Sequence, residues 1–445
     1  MSEKPENHKL SGFTRRDFVK SSAILAGGTL LSQLPVGASA YVAGDDTIKV
    51  AVIGCGGRGT GAAAQALSTK GKVKIVAMAD AFRDRLDDSF ANLSKKYGKD
   101  KLDVPDKNKF VGFDGYKQAI ALADVVILAT PPGFRPIHFE EAVKAGKHIF
   151  MEKPVATDVP GVQRVLAAAE EAKKKNLNVV VGLQRHYQNN YREVLKRIKD
   201  GAVGDIMSGQ VYWNGAGVWV KPRQANQTEM EYQMRNWYYF NWLCGDHILE
   251  QHIHNIDVAN WFKGAYPVSA QGMGGRQVRT GKEYGEIFDH HFVEFVYADG
   301  TVISSQCRHI EGCMNRVSET FQGTKGRINI SGDGDGVITD LKGGSIYSHR
   351  GKEDPDPYQT EHDELFAAIR NGKTINDAEY GAKSTMTAIM GRMATYSGQV
   401  IKWDEAMASN LSLMPERFAF DAQPPVLPDK DGFYPIPVPG KTKVM

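Results

Sequence analysis

Two short stretches of this 445-residue chain carry side chains whose types and spacing could do chemistry. The first is Gly54-Cys55-Gly56-Gly57-Arg58-Gly59, a G-x-G-x-x-G set between the β-branched run IKVAVI (48–53) and a small-residue helical stretch over 60–67. In a strand–turn–helix of this kind Gly54 permits the tight turn and Gly56 lets the backbone approach a pyrophosphate. Gly59 lets helix and strand pack closely, and Gly57 and Arg58 complete the phosphate turn. The helix N-terminus adds unpaired N–H groups and the positive end of its dipole. A second strand over 73–79 ends in Asp80, about 20 residues past the last glycine, where a carboxylate can grip a ribose 2′-hydroxyl. The same carboxylate would repel a 2′-phosphate, so NAD is expected rather than NADP, with Arg83 and Arg85 arguing the other way.

The second stretch, 245–257, reads Gly-Asp-His-Ile-Leu-Glu-Gln-His-Ile-His-Asn-Ile-Asp and is expected to lie on one helix over 245–262. Residues four apart on a helix share a face, so Glu250 and His254 can converge on one group, with His247 on the same stripe. Oxidising a secondary alcohol with NAD needs a hydride acceptor and a base for the hydroxyl proton. His254 is expected as that base, Glu250 as a substrate hydrogen-bond partner and His247 as a further substrate contact. The same three side chains could instead ligate a metal, but neither H-E-x-x-H nor H-x-x-E-H occurs, and no metal is assigned. His290 and His291 adjoin on a strand, so one of them at most can face the site. Tyr212, Trp213, Trp219, Arg223, Arg235, Trp237, Tyr238 and Trp242 crowd one segment. Trp213, Arg235 and Trp237 read as a polar, ring-binding wall, with Trp242 and Trp261 in the core. The substrate class implied is a small carbohydrate or polyol.

Placing these residues takes two kinds of sheet. Strand-like runs at 124–130, 147–151 and 178–183 alternate with helices, including one over 159–175. That alternation predicts an α/β fold whose N-terminal part, 45–185, is a doubly wound parallel Rossmann domain. Ligands in such sheets sit beyond the carboxyl ends of the strands, where Gly54, Asp80, Thr130, Lys153 and Gln184 all fall. From about 204 onward, runs at 207–213, 290–297, 300–307, 316–322 and 326–330 read as mostly antiparallel strands. They predict an α+β substrate domain over 186–404, whose late helices, 363–371 and 377–397, pack back on the first domain. The last segment, 405–445, has six prolines between Pro424 and Pro439 and is expected to be an extended strap or a disordered tail.

Taken together, the strand–GCGGRG–helix, Asp80, Ala129-Thr130-Pro131-Pro132 with His138, and Glu152-Lys153-Pro154 after the fifth strand resemble the glucose–fructose oxidoreductase / inositol dehydrogenase / MocA family. The resemblance runs from about Ile48 to Trp403. It implies that Thr130, Pro131, His138, Glu152, Lys153 and Gln184 join the glycines and Asp80 in binding NAD. It also implies that Lys153 contacts the reacting hydroxyl as orienter and electrostatic stabiliser, and that His254 falls on the family's histidine. Glu250 stands where the family usually has aspartate, and His252 where it has glycine.

Compartment bears on mechanism. Thr14-Arg15-Arg16-Asp17-Phe18-Val19-Lys20, the run over 21–34 and Ala38-Ser39-Ala40 look like a twin-arginine export signal over 1–40, cleaved after Ala40. An ordinary basic signal for unfolded export is the alternative. The twin-arginine translocation machinery passes folded chains, which suits a cofactor acquired in the cytoplasm and a periplasmic destination. Removing 1–40, with five Lys/Arg and three Asp/Glu, takes the 55 basic and 52 acidic residues to 50 and 49. A near-neutral mature chain has no footprint for nucleic acid or an anionic membrane surface. Cys55, Cys244, Cys307 and Cys313 are expected as free thiols. Outside the cytoplasm the cofactor has to be recycled in place, by alternating oxidation and reduction of two sugars. The alternative is a redox-neutral glycosidase or lyase cycle of transient oxidation, elimination and hydride return. The Tyr-Pro-Thr-His-Gly segment associated with such glycosidases is absent, which ranks that scheme second; a non-enzymatic sugar-sensing role comes third. The open face of the second sheet suits pairing with another copy of the chain.

Overall fold

The computed structural model describes residues 46–445, so the expected export signal over 1–40 lies outside the described residues. β1 (Ile48–Ile53) is buried at five of its six positions, as a strand with neighbours on both edges and helices on both faces must be. With β2 (Val73–Asp80), β3 (Lys109–Val111), β4 (Val125–Leu128), β5 (His148–Met151) and β6 (Val179–Val181) it forms a parallel sheet of order β3-β2-β1-β4-β5-β6. Strand order reverses between β1 and β4, which opens a crevice at the carboxyl ends of the strands. The connecting helices are α1 (Gly57–Ser68), α2 (Arg83–Ser94), α3 (Gly115–Ala121), α4 (Arg135–Lys144) and α5 (Val159–Lys174).

After α6 (Asn189–Lys199) the chain builds a nine-stranded sheet. Its strands are β7 (Ile206–Gly215), β8 (Ser269–Gly275), β9 (His290–Val296), β10 (Val302–His309), β11 (Arg316–Gly323), β12 (Gly326–Ser331), β13 (Gly336–Asp340), β14 (Ser345–His349) and β15 (Ile401–Lys402). The order is β14-β13-β12-β11-β7-β10-β9-β8-β15; β7 and β10 pair in parallel and the other neighbours antiparallel. Burial alternates along β9 and β10, so one face of this sheet is covered and the other is open. The cover comes from α10 (Ile253–Lys263) and α12 (Ala378–Ser397), and α12 also packs on α5 of the parallel sheet. One core therefore runs from Val126 and Ile149 through Met386 and Ile389 to Val293 and Ile303.

The single helix expected over 245–262 is instead two. Between α7 (Glu229–Arg235), α8 (Asn241–Cys244) and α10 lies the one-turn helix α9 (His247–Glu250), separated from α10 by Gln251 and His252. Gly245 and Asp246 both have positive φ (77° and 72°), which breaks the chain before α9, and the Asp246 carboxylate accepts the His247 N–H. Among the described residues no helix is long and apolar enough to cross a membrane, and the four cysteines are free thiols. Beyond α11 (Pro357–Arg370) and α13 (Trp403–Met407) the chain runs without helix or strand to its end. Phe418 and Phe420 there pack on Phe82, Phe113 and Phe134.

Arg185, after β6, meets Glu319 of β11 in a fully buried ion pair, and Tyr191 and Asn255 also donate to that carboxylate (2.8 and 2.6 Å). Replacing Glu319 by Ala strands a buried guanidinium and should cost about 3–5 kcal/mol. An unchanged denaturant midpoint would remove this pair from the list of ties between the two sheets. Burial also holds the His138 and His252 imidazoles down to about 3. The unfolded chain, with histidines near about 6.5, then binds more protons below that pH. Their stabilisation is complete above about 6.5 and lost as pH falls toward 3, at about 1.4 kcal/mol per pH unit for each histidine. Between pH 7 and pH 5 the denaturant midpoint of wild type should fall more than that of His138→Gln or His252→Gln, and equal slopes in all three would show that neither ring is buried neutral.

Candidate active site

The crevice at the carboxyl ends of the parallel strands is a cleft of about 630 Å³. Its floor is the glycine turn. Gly54 has φ +93°, and a Cβ there would stand 2.4 Å from the Thr130 nitrogen; a Cβ on Gly59 would stand 1.8 Å from the Gly54 carbonyl oxygen. Neither position tolerates a side chain, so β1, α1 and the end of β4 approach as closely as backbones can. A Cβ on Gly56 or Gly57 would meet nothing within 4 Å, and no side chain caps α1. The N–H groups of its first turn are thus left for an anion. Asp80 ends β2 with its carboxylate fixed by the N–H groups of Cys55 (2.7 Å) and Phe82 (2.9 Å), keeping lone pairs for hydroxyl donors. Arg85 lines the cleft beside it, whereas Arg83 turns to Asp87. An open turn with free N–H groups, followed by an anchored carboxylate, fits a dinucleotide.

Gly54, Gly56, Gly57, Arg58, Asp80, Thr130, Pro131, His138, Glu152, Lys153 and Gln184 all line this one cleft, while Gly59 lies beneath it in its packing role. Several of them are tied to one another. The Arg58 guanidinium pairs with Glu152 and with Glu361 of α11 (3.0 Å), between the rings of Phe150 and Tyr358. Thr130 Oγ1 meets His138 Nδ1 at 3.2 Å. Arg135, which sequence patterns did not mark, is buried and donates to the carbonyls of Leu128, Thr130 and Glu152, clamping the ends of β4 and β5. Gln184 is half-buried, with its Oε1 inaccessible and unpaired.

Across the cleft stand Glu250, Gln251 and His254. Lys153 Nζ donates to Glu250 Oε1 at 3.0 Å and to the Glu250 carbonyl. Burial pushes the Glu250 carboxyl up and Lys153 pulls it back; its Oε2 has no partner. Burial, reinforced by the Lys153 charge, holds the His254 imidazole well below its ordinary range, so the ring is neutral. Its Nδ1 is unpaired, and the ring stacks on Trp213 at 5.8 Å. Trp219 and Trp237, edge to face at 5.8 Å, complete an aromatic wall with Lys221 and Met234.

Two expected substrate contacts are corrected. His247 does not line the cleft: the helix is interrupted at Gln251 and His252, which separates it from His254, and it is fully buried against Asp246, His291 and His309. His247, Glu250 and His254 therefore share no common point. Arg235 reaches the cleft, but its guanidinium is committed to a bidentate pair with Asp84 of α2 (2.7 and 2.9 Å) and lies over the Phe82 ring. It bridges the Asp80 end of the cleft and is not free for a sugar. Trp242 is core, as expected, with its Nε1 donating to Gln233. His290 pairs with Asp289, and His291 is buried away from the cleft.

Residues 48–181 match the model of an oxidoreductase family with an NAD-binding Rossmann fold, and 191–329 match the GFO/IDH/MocA C-terminal domain. The chain is 24% identical to an inositol 2-dehydrogenase of Rhizobium meliloti over 74% of its own length and 91% of that protein's. It is 25% identical to a 2,7-anhydro-N-acetylneuraminate hydratase of Escherichia coli over 53% of its length and 66% of that protein's. A similar solved fold is the aldose-aldose oxidoreductase of Caulobacter crescentus, with a TM-score of 0.64 at 19% identity over 80% of this chain and 99% of that one. The scyllo-inositol dehydrogenase of Lactobacillus casei with bound NAD(H) and scyllo-inositol gives 0.60 at 21% over 80% and 99%. With both of its parts matched and the glycine turn, Asp80 and Lys153 gathered at one cleft, this chain belongs to the GFO/IDH/MocA family of NAD-binding oxidoreductases.

Proposed function

We propose that the protein is an NAD-dependent oxidoreductase acting on a secondary hydroxyl of a sugar, glycoside or polyol. The observation that carries this reading is the meeting of Lys153, Glu250 and His254 in the cleft that also holds the glycine turn and Asp80. When bound, NAD supplies the hydride acceptor. The remaining work falls to the chain. His254, neutral because burial and Lys153 disfavour its cation, accepts the hydroxyl proton. Lys153 presents a positive charge where the substrate oxygen becomes negative, in a partly desolvated site that strengthens the interaction. Glu250 anchors that ammonium through Oε1 and offers Oε2 to a neighbouring hydroxyl. Trp213, Trp219 and Trp237 give flat apolar faces against which a sugar ring can stack, while the cleft's polar groups bind its hydroxyls.

A redox-neutral cycle at the same site is the second reading. It is favoured by similarity to proteins named as a hydratase and as a family 109 glycosyl hydrolase, the latter from Shewanella pealeana at 27% identity over 44% of this chain and 45% of that one. The twin-arginine motif supports export of the folded, loaded protein to the periplasm, with the cofactor recycled in place. The open face of the nine-stranded sheet supports pairing of two copies.

Lys153→Ala and His254→Ala should each lower turnover by roughly 10²-fold with the circular dichroism spectrum unchanged. Wild-type rates in both would displace the site. Incubation with a panel of glycosides and polyols, read by mass spectrometry, separates the two readings. Loss of two hydrogens marks net oxidation, release of the aglycone without redox change marks the cycle, and no product from any member would discard both.

A further inference from the structure

The residues that turn away from the cleft build a site of their own. Asp246, His247 and His291 are buried, and one ligand-type atom of each lies within 4.8 Å of the others. His247 Nδ1 is 2.8 Å from Asp246 Oδ1, and His291 Nε2 is 3.2 Å from Asp246 Oδ2. Both imidazoles therefore converge on the one carboxylate, and His247 Nε2 is buried with no protein partner. Two histidines and an acid gathered at one buried point, with an imidazole nitrogen left over, are the groups a cation satisfies.

The surroundings are those of a ligand set held in place. His291 Nδ1 meets Thr395 Oγ1 at 2.9 Å, which presents Nε2 inward. Asp246 Oδ2 accepts from the Phe288 N–H (3.0 Å) and the Tyr396 hydroxyl (2.5 Å). Asp246 is also one of three non-glycine residues with positive φ among the described residues, a conformation that aims its carboxylate back over His247. The His309 ring stacks on His247 at 4.3 Å and the Phe288 ring packs on His291 at 5.5 Å. None of the three ligand residues lines the cleft.

We propose that Asp246, His247 and His291 bind one divalent transition-metal ion, zinc fitting the donor set best. Two imidazole nitrogens and a carboxylate oxygen are zinc ligands; the three leave the fourth position of a tetrahedral site to a water, and since none of them lines the cleft the ion has no place on the substrate. The ion ties the start of α9 to β9, and so fixes the segment that carries Glu250 and His254.

The test uses the whole mature protein, purified from zinc-supplemented medium. Elemental analysis should find about one zinc per chain, and cobalt introduced after chelation should give visible d–d bands. At a thousandfold excess over Kd, zinc should raise the melting temperature of the chelated protein by about 5 °C. Thr395→Val, which removes a supporting hydrogen bond without touching a ligand, should weaken binding by about 10–100-fold. Asp246→Asn and His291→Ala should lose the ion, whereas His254→Ala, in the cleft, should keep it. Wild-type protein that carries no zinc and gains no stability from zinc or cobalt would overturn the proposal and leave a buried imidazole–carboxylate pair. Loss of the ion from His254→Ala would overturn it as well, by placing the metal in the cleft.

Discussion

The ion pair between Lys153 and Glu250 sets where the two halves of the site meet. Each side chain is about one-tenth exposed, and a charge so placed is costly without its partner. The end of β5 and the end of α9, 97 residues apart in sequence, are thereby brought together. The rest follows from that registration. His254, on the first turn of α10, enters the cleft, and the short α9 can run only one turn before the chain bends into it. The start of α9 is then carried to the other side, where Asp246 and His247 meet β9 and not the substrate.

The nucleotide half rests on a different constraint, the approach of backbone to backbone. The Gly54 carbonyl stands 1.8 Å from where a Gly59 Cβ would be, and Gly54 itself has φ +93°, so part of what requires each glycine lies within the turn. A sequence carries such information openly. Asp80 is similarly legible, because a parallel strand of fixed length delivers its last residue to the carboxyl edge beside β1. The alternation of β4, β5 and β6 with helices, and the positions of Thr130, Lys153 and Gln184, were readable for the same reason.

What could not be read was decided by partners far away in the chain. Helical spacing put His247, Glu250 and His254 on one stripe, but the stripe needs a continuous helix, and the helix is interrupted at Gln251 and His252, between α9 and α10, while His247 is held at the buried Asp246 carboxylate that Phe288 and Tyr396 fix. Arg235 looked like a sugar ligand because it sits among aromatics; its bidentate partner, Asp84, is 151 residues away. β8, with the sequence SAQGMGG, has little strand propensity and is ordered by its pairing with β9. Arg135 left no mark at all, since what it recognises is a set of backbone carbonyls that exists only after β4 and β5 are in register.

The same long-range ties bear on how a cofactor would be kept. Phe82, two residues past Asp80, lies against the Arg235 guanidinium at 3.7 Å on one contact and the Phe420 ring at 5.3 Å on another. Phe113, also on the cleft, packs on Phe418 and Phe420. The Asp80 end of the cleft is thus bordered by side chains braced from α7 and from the C-terminal segment, both remote from the parallel sheet in sequence. Moving that border would disturb a bidentate ion pair and several aromatic contacts together. Bracing of this kind suits the proposed export route, because a chain that leaves the cytoplasm with its cofactor has no pool from which to replace it.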